Sequence, residues 1–142
     1  MYLLDTNVLS EVLRREPDFE VSRRIHATEK DRLFASEMSR YEIRRGALLH
    51  PRPAEFWEKV ERKLVPLAIW LPIGEEASLA AGELDAQLTR VGSRIDKPDL
   101  FIAATALVFD LVLVTRNVRH FANVPGLAVE NWFRERTPKN AT

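Results

Sequence analysis

The sequence predicts an α/β fold: one domain, a three-layer α/β/α sandwich around a mostly parallel central sheet. Three observations carry this expectation. Short apolar runs of strand length alternate with amphipathic runs of helix length from one end of the chain to the other. The best strand run, Leu111-Val112-Leu113-Val114-Thr115, is apolar on both faces, as an interior parallel strand covered by helices above and below should be. A chain of 142 residues with 46% hydrophobic residues can build one real core and would be crowded as two domains.

Tyr2-Leu3-Leu4 reads as a brief buried strand. Asp5 ends it, Thr6 and Asn7 can each cap a helix, and Leu9, Val12 and Leu13 then share one helical face. Pro17-Asp18 opens a second helix with Val21 and Ile25 inward. Leu33 to Ser36 is a second strand, and Met38 to Leu48 continues as a helix that carries Glu42. There Ser39-Arg40-Tyr41-Glu42 matches a capping box. His50-Pro51-Arg52-Pro53 breaks the chain before a helix from Ala54 to Leu64. Ile69 to Ile73 is a third strand, placed near a sheet edge by Pro72.

The longest helical pattern, Glu75 to Val91, ends at Gly92-Ser93. After a loop from Arg94 to Lys97, Pro98 suits the first turn of a helix whose Leu100-Phe101-Ile102-Ala103-Ala104 run predicts burial on most sides. Asn117 can cap a short helix over Val118 to Phe121, and Leu127-Ala128-Val129 gives a last strand. The domain is expected to span residues 1–133, with a frayed polar tail over 134–142.

Composition excludes several chemistries. With no cysteine there is no disulfide framework, thiolate zinc site or cysteine nucleophile, and a cytoplasmic protein is expected. No stretch approaches the roughly 20 apolar residues of a membrane span. Lysine and arginine balance aspartate and glutamate, 21 against 21, so overall charge does not favour nucleic acid and local pattern must decide.

Three acids occupy equivalent stations: Asp5 just past a strand, Glu42 a few residues past another, and Asp99 at the start of the buried helix. Asn117 stands just past the apolar strand. In open parallel sheets sites form at the carboxyl ends of strands. Convergence there would crowd like charges, which is costly unless a cation joins them, and oxygen-only donors suit Mg²⁺ or Mn²⁺. Each residue also has a purely structural alternative, as a helix cap, a capping-box partner or a favourable charge at a helix N-terminus. Spacing alone does not choose between them.

The order of motifs adds to this. LLDTNVLSE (Leu3 to Glu11), the glutamate of YEIRRGA (Tyr41 to Ala47), DLFIAATAL (Asp99 to Leu107), LVTRNVRHF (Leu113 to Phe121) and VPGLAVENW (Val124 to Trp132) together resemble the PIN domain family, specifically the VapC-type toxins of bacterial toxin-antitoxin pairs. The resemblance implies a metal-dependent endoribonuclease whose metal-site acids are Asp5, Glu42 and Asp99, with Asn117 where the family often has aspartate. It also implies Mg²⁺ or Mn²⁺ as cofactor, RNA as substrate, a cognate antitoxin as partner and pairing of the chain with itself. Arg116 and Arg119 are the expected phosphate contacts, beside Thr6, Asn7 and Thr115, with Arg44 and Arg45 next. Asp96 either adds to the site or stands as a solvated loop charge, the commoner role for such an acid, and His120 either contacts substrate or serves the structural role commoner for a histidine at a helix end.

Other readings fit less well. A dehalogenase-like phosphatase needs a second aspartate where Asn7 stands. A receiver-like signalling module needs paired acids after an early strand. A PIN-like module that binds RNA or a partner without cutting is the main alternative, and retention of all three acids argues against it.

Overall fold

The computed structural model describes residues 1–134, and in it five strands form one parallel sheet. They are β1 (Tyr2–Leu4), β2 (Leu33–Ser36), β3 (Ile69–Leu71), β4 (Val112–Val114) and β5 (Val129–Glu130), ordered β3-β2-β1-β4-β5. Leu3 sits opposite Phe34 on one side and Leu113 on the other, and every pairing is parallel. The chain lays β2 and β3 to one side of β1 and then crosses to lay β4 and β5 on the other. That reversal opens a crevice at the carboxyl ends of β1 and β4.

Six α-helices cover the sheet: α1 (Thr6–Val12), α2 (Phe19–Ala27), α3 (Glu37–Leu48), α4 (Pro53–Lys63), α5 (Glu75–Arg90) and α6 (Lys97–Val108). Because successive strand residues face opposite ways, the sheet divides the core in two. Leu3 and Leu113 point to α5 and α6, packing with Leu84, Leu88, Ile102 and Ala103. Leu4 and Val114 point to the other layer, where Val8, Val21, Ile43 and Val60 come from α1 to α4. Small residues let helices approach closely: Ala77 and Ala81 of α5 and Ala103, Ala104 and Ala106 of α6 are all buried. The three-layer expectation is met.

Several boundaries differ for local reasons. Ser36, not a later residue, caps α3 by accepting from Met38 N at 3.0 Å. Ser39 therefore lies inside the helix, and the expected Ser39–Glu42 capping box does not form. Asp5 itself caps α1, and Thr6 and Asn7 fall in its first turn. The last strand starts at Val129 because the turn from Val124 to Leu127, with Gly126 at φ +76, uses the preceding residues. Gly92 ends α5 as expected, in the left-handed conformation at φ +71, with Ser93 N donating to Leu88 O.

Beyond β5 the chain still contributes to the core. Trp132 is 3% exposed, packs edge-on against Tyr2 with ring centroids 5.0 Å apart, and donates its indole N–H to Glu130 Oε2 at 2.9 Å. Past Arg134, the tail expected over residues 134–142 lies outside the described residues. Among the described residues no helix is long and apolar enough to cross a membrane.

Trp132→Ala should cost about 3–5 kcal/mol of unfolding free energy, the range for a buried tryptophan removed from a core. Urea denaturation checks this, and a loss under about 1 kcal/mol would place the end of the folded domain before Trp132.

Candidate active site

Asp5 is held at the end of β1 by bonds from three directions. Its Oδ1 accepts Thr6 N at 2.7 Å, which is the helix cap, while Oδ2 accepts the Thr115 hydroxyl at 2.8 Å and Asn7 Nδ2 at 3.2 Å. The capping alternative is thus true of one oxygen only. Thr115 is fully buried, and its single proton goes to Asp5, so its lone pairs accept from Asn7 Nδ2 at 3.3 Å and Asn117 N at 3.0 Å. Asn7 Oδ1 in turn accepts Arg116 N at 3.1 Å. These bonds lace the end of β1 to the end of β4.

Glu42, in the second turn of α3, accepts the Thr6 hydroxyl on Oε1 at 2.8 Å. Asp99, in the first turn of α6, has Oδ2 3.4 Å from His120 Nδ1. Asp5, Glu42, Asp99 and Asn117 all line one open depression of about 530 Å³. Asp96, Thr6, Asn7 and His120 line it too, with Ser10, Glu11 and Arg14 at the α1 side. The structure therefore gathers the three predicted acids and the amide at one rim.

The carboxylates resist ionisation there. Burial pushes Asp5 up from 3.8 to about 6, against the stabilising bonds from Thr115 and Thr6, and the charges of Asp99 and Glu42 add to the rise. Burial also raises Glu42, opposed by its Thr6 bond and reinforced by Asp99 and Asp96. Asp99 is raised by burial and then by Asp96, with His120 pulling the other way. All the acidic donors are hard oxygens, and a cation among them would offset both the desolvation and the repulsion. In donor chemistry and charge the residues fit Mg²⁺ or Mn²⁺. Among the described residues no three acidic or imidazole groups already stand where they could hold one ion, so coordination requires side-chain rotation.

Other predicted residues are placed differently. Asn117 precedes the 3₁₀ turn Val118–Phe121, but its side chain makes no capping bond and faces the depression. The Arg116 guanidinium lies 4.8 Å from the Phe133 ring centre, and neither Arg116 nor the exposed Arg119 lines the depression. Arg44 lies over Trp57 at 4.6 Å. Arg14 is the arginine that does line it, ion-paired to the buried Glu11 at 3.4 Å. Asp96 is exposed, as a solvated loop charge should be, and also stands on the acidic rim, while the exposed His120 has Nδ1 3.4 Å from Asp99 Oδ2. The three-residue spacing of Asp96 and Asp99 was the available signal, since it places both on one side of a helix start.

The PIN domain family model matches residues 2–127 of this chain. VapC ribonuclease Y4jK of Sinorhizobium fredii is 34% identical over 136 residues, covering 92% of this chain and 96% of that protein. The tRNA(fMet)-specific endonuclease VapC of Salmonella typhimurium is 28% identical, covering 92% and 97%. Among solved structures, the DNA-bound VapBC of Salmonella typhimurium superposes with a TM-score of 0.86 at 27% identity, over 92% of this chain and 97% of that one.

The raised Asp5 value has a sign that can be tested. The folded protein holds this proton more tightly than the unfolded chain, so the associated stability is full below about pH 4 and is lost as pH rises through about 6. At pH 5 about 1.4 kcal/mol of it remains, and at pH 8 almost none. Whatever fixed cost the amide carries, Asp5→Asn should gain about that amount on wild type between pH 5 and pH 8. Urea denaturation in EDTA at both values measures the gap, and an unchanged gap would mean that Asp5 titrates normally.

Proposed function

Since this chain belongs to the PIN domain family and its relatives are VapC-type, we propose that it is an endoribonuclease acting as the toxin of a toxin-antitoxin pair. One observation carries the proposal: Asp5, Glu42 and Asp99, from three separate elements, line one depression at the crevice between β1 and β4. Relatives named as ribonucleases support RNA as the substrate. A module that only bound RNA would have no use for desolvated acids, which repel a phosphate backbone.

We assign Mg²⁺ or Mn²⁺ as cofactor, held by Asp5, Glu42 and Asp99. When bound, such an ion neutralises charge on the scissile phosphate and makes a water nucleophilic near neutral pH. The chain's own groups do the rest. Thr6 N, Thr115 and Asn7 fix Asp5 so that it cannot swing away. Thr6 aims Glu42. His120 places its Nδ1 3.4 Å from Asp99 Oδ2. Asn117 adds no charge and serves to orient water or a neighbouring acid. Arg14, the arginine lining the depression, is the nearest candidate for gripping phosphate, with Arg116 and Arg119 outside it.

The solved relatives named VapBC support a cognate antitoxin as partner. An arginine from that partner would match the charge and planar geometry of the carboxylates. Pairing of the chain with itself completes the proposal.

Purified protein should cleave RNA with Mn²⁺ or Mg²⁺ and lose all cleavage in EDTA. Asp5→Asn or Asp99→Asn should lower the rate by about 100-fold or more, as loss of a charge-stabilising group in a site does. Asn117→Ala should cost about 10- to 100-fold, the range for a group supporting a metal site. Cleavage that persists in EDTA and in Asp5→Asn would defeat the metal mechanism.

Co-expression with the product of the neighbouring gene should give a stable complex without nuclease activity. Sedimentation of the toxin alone should report a dimer. A chain that stays monomeric and harmless when expressed by itself would count against the toxin assignment.

A further inference from the structure

Ser39 is fully buried inside α3, and among the described residues its hydroxyl has one side-chain partner, the Thr6 hydroxyl at 2.8 Å. It does not bond back to the carbonyl four residues earlier, a common outlet for a serine within a helix. Alanine would fill the same space with better helix propensity and no hydroxyl to desolvate. The hydroxyl therefore has to be accounted for by what it does to Thr6.

Counting protons fixes the direction of the bond. Thr6 has one hydroxyl proton, and it points to Glu42 Oε1 at 2.8 Å, because an ionised carboxylate accepts and cannot donate. Ser39 must then donate to the Thr6 oxygen. The result is a relay from Ser39 through Thr6 to Glu42, in which each bond polarises the next. Ser39 and Glu42 stand three residues apart on one side of α3, and Thr6 is clipped between them from the first turn of α1.

We propose that Ser39 is a positioning residue for Glu42: donating to Thr6, it fixes the rotamer of that hydroxyl and so turns the Glu42 carboxylate into the acidic depression. Its consequence for metal binding rests on the nuclease reading above. The orientation of Glu42 does not.

The test uses metal-free protein labelled with ¹³C-glutamate, in which the Glu42 carboxyl signal is assigned through Glu42→Gln. Ser39→Ala should move that signal away from its wild-type position and towards those of solvated glutamates. Thr6→Val, which keeps the shape and removes the middle hydroxyl, should move it further. The double variant should go no further than Thr6→Val, since the relay has one path. Ser39→Cys, nearly isosteric and a weak donor, should follow Ser39→Ala and guards against misfolding of the alanine variant. In Mn²⁺ calorimetry Ser39→Ala should bind about 10-fold more weakly, as expected for loss of a group that orients a ligand.

If the Glu42 signal in Ser39→Ala coincides with wild type while Thr6→Val displaces it, Ser39 only fills space and the proposal is overturned. A displaced signal in a protein that binds no Mn²⁺ even as wild type would uphold the positioning role and overturn the metal reading instead.

Discussion

The bond between the Thr115 hydroxyl and Asp5 Oδ2, 2.8 Å long and buried, joins the two strand ends around which the site is built. A carboxylate left alone at 3% exposure would carry an uncompensated desolvation cost. Here the strand-to-helix turn supplies a backbone N–H, the neighbouring strand a hydroxyl and the first helical turn an amide. The parallel register that sets Leu4 beside Val114 brings Thr115 within reach. Sheet order, strand register and the cap of α1 thus all meet in one side chain.

The strands were legible because each is a short apolar run bounded by a cap or a turn. Helical faces followed from spacing: Val21 and Ile25, or Leu84 and Leu88, are buried as their periodicity requires. Capping was less legible. Ser39 and Glu42 match a capping box, but the end of β2 at Ser36 fixed where the helix begins, and tertiary context left Glu42 to meet Thr6. Convergence of Asp5, Glu42 and Asp99 came from motif order, since no spacing rule spans separate elements. The parts played by Asp96 and His120 were open in the sequence: the three-residue spacing pairs Asp96 with Asp99, but no spacing brings His120, from a separate element, to them.

Overall neutrality conceals an uneven arrangement of charge. Several arginines lie against aromatic rings: Arg40 over Trp70 at 4.3 Å, Arg44 over Trp57, Arg24 over Trp132 and Arg116 over Phe133. Such contacts use the cation to cover apolar surface. Five acids, Asp5, Glu11, Glu42, Asp96 and Asp99, by contrast share the lining of one depression, with Arg14 and His120 as its basic members among the described residues. The equal totals of acidic and basic residues therefore say nothing about the balance at the site, where acids outnumber basic residues in the lining.

The bond that unites the site also links residues 110 positions apart, and β1 pairs with β4 across nearly the same separation. Closing a chain segment of that length costs more entropy than closing a local turn, though the cost grows only slowly with length. Helices α1 to α5 and the β1–β2–β3 half of the sheet can take shape while Asp5 still lacks its partner from β4. Asp5 therefore gains its buried hydroxyl partner only when β4 joins the sheet, and a chain that has formed only the β1–β2–β3 half holds that carboxylate without Thr115.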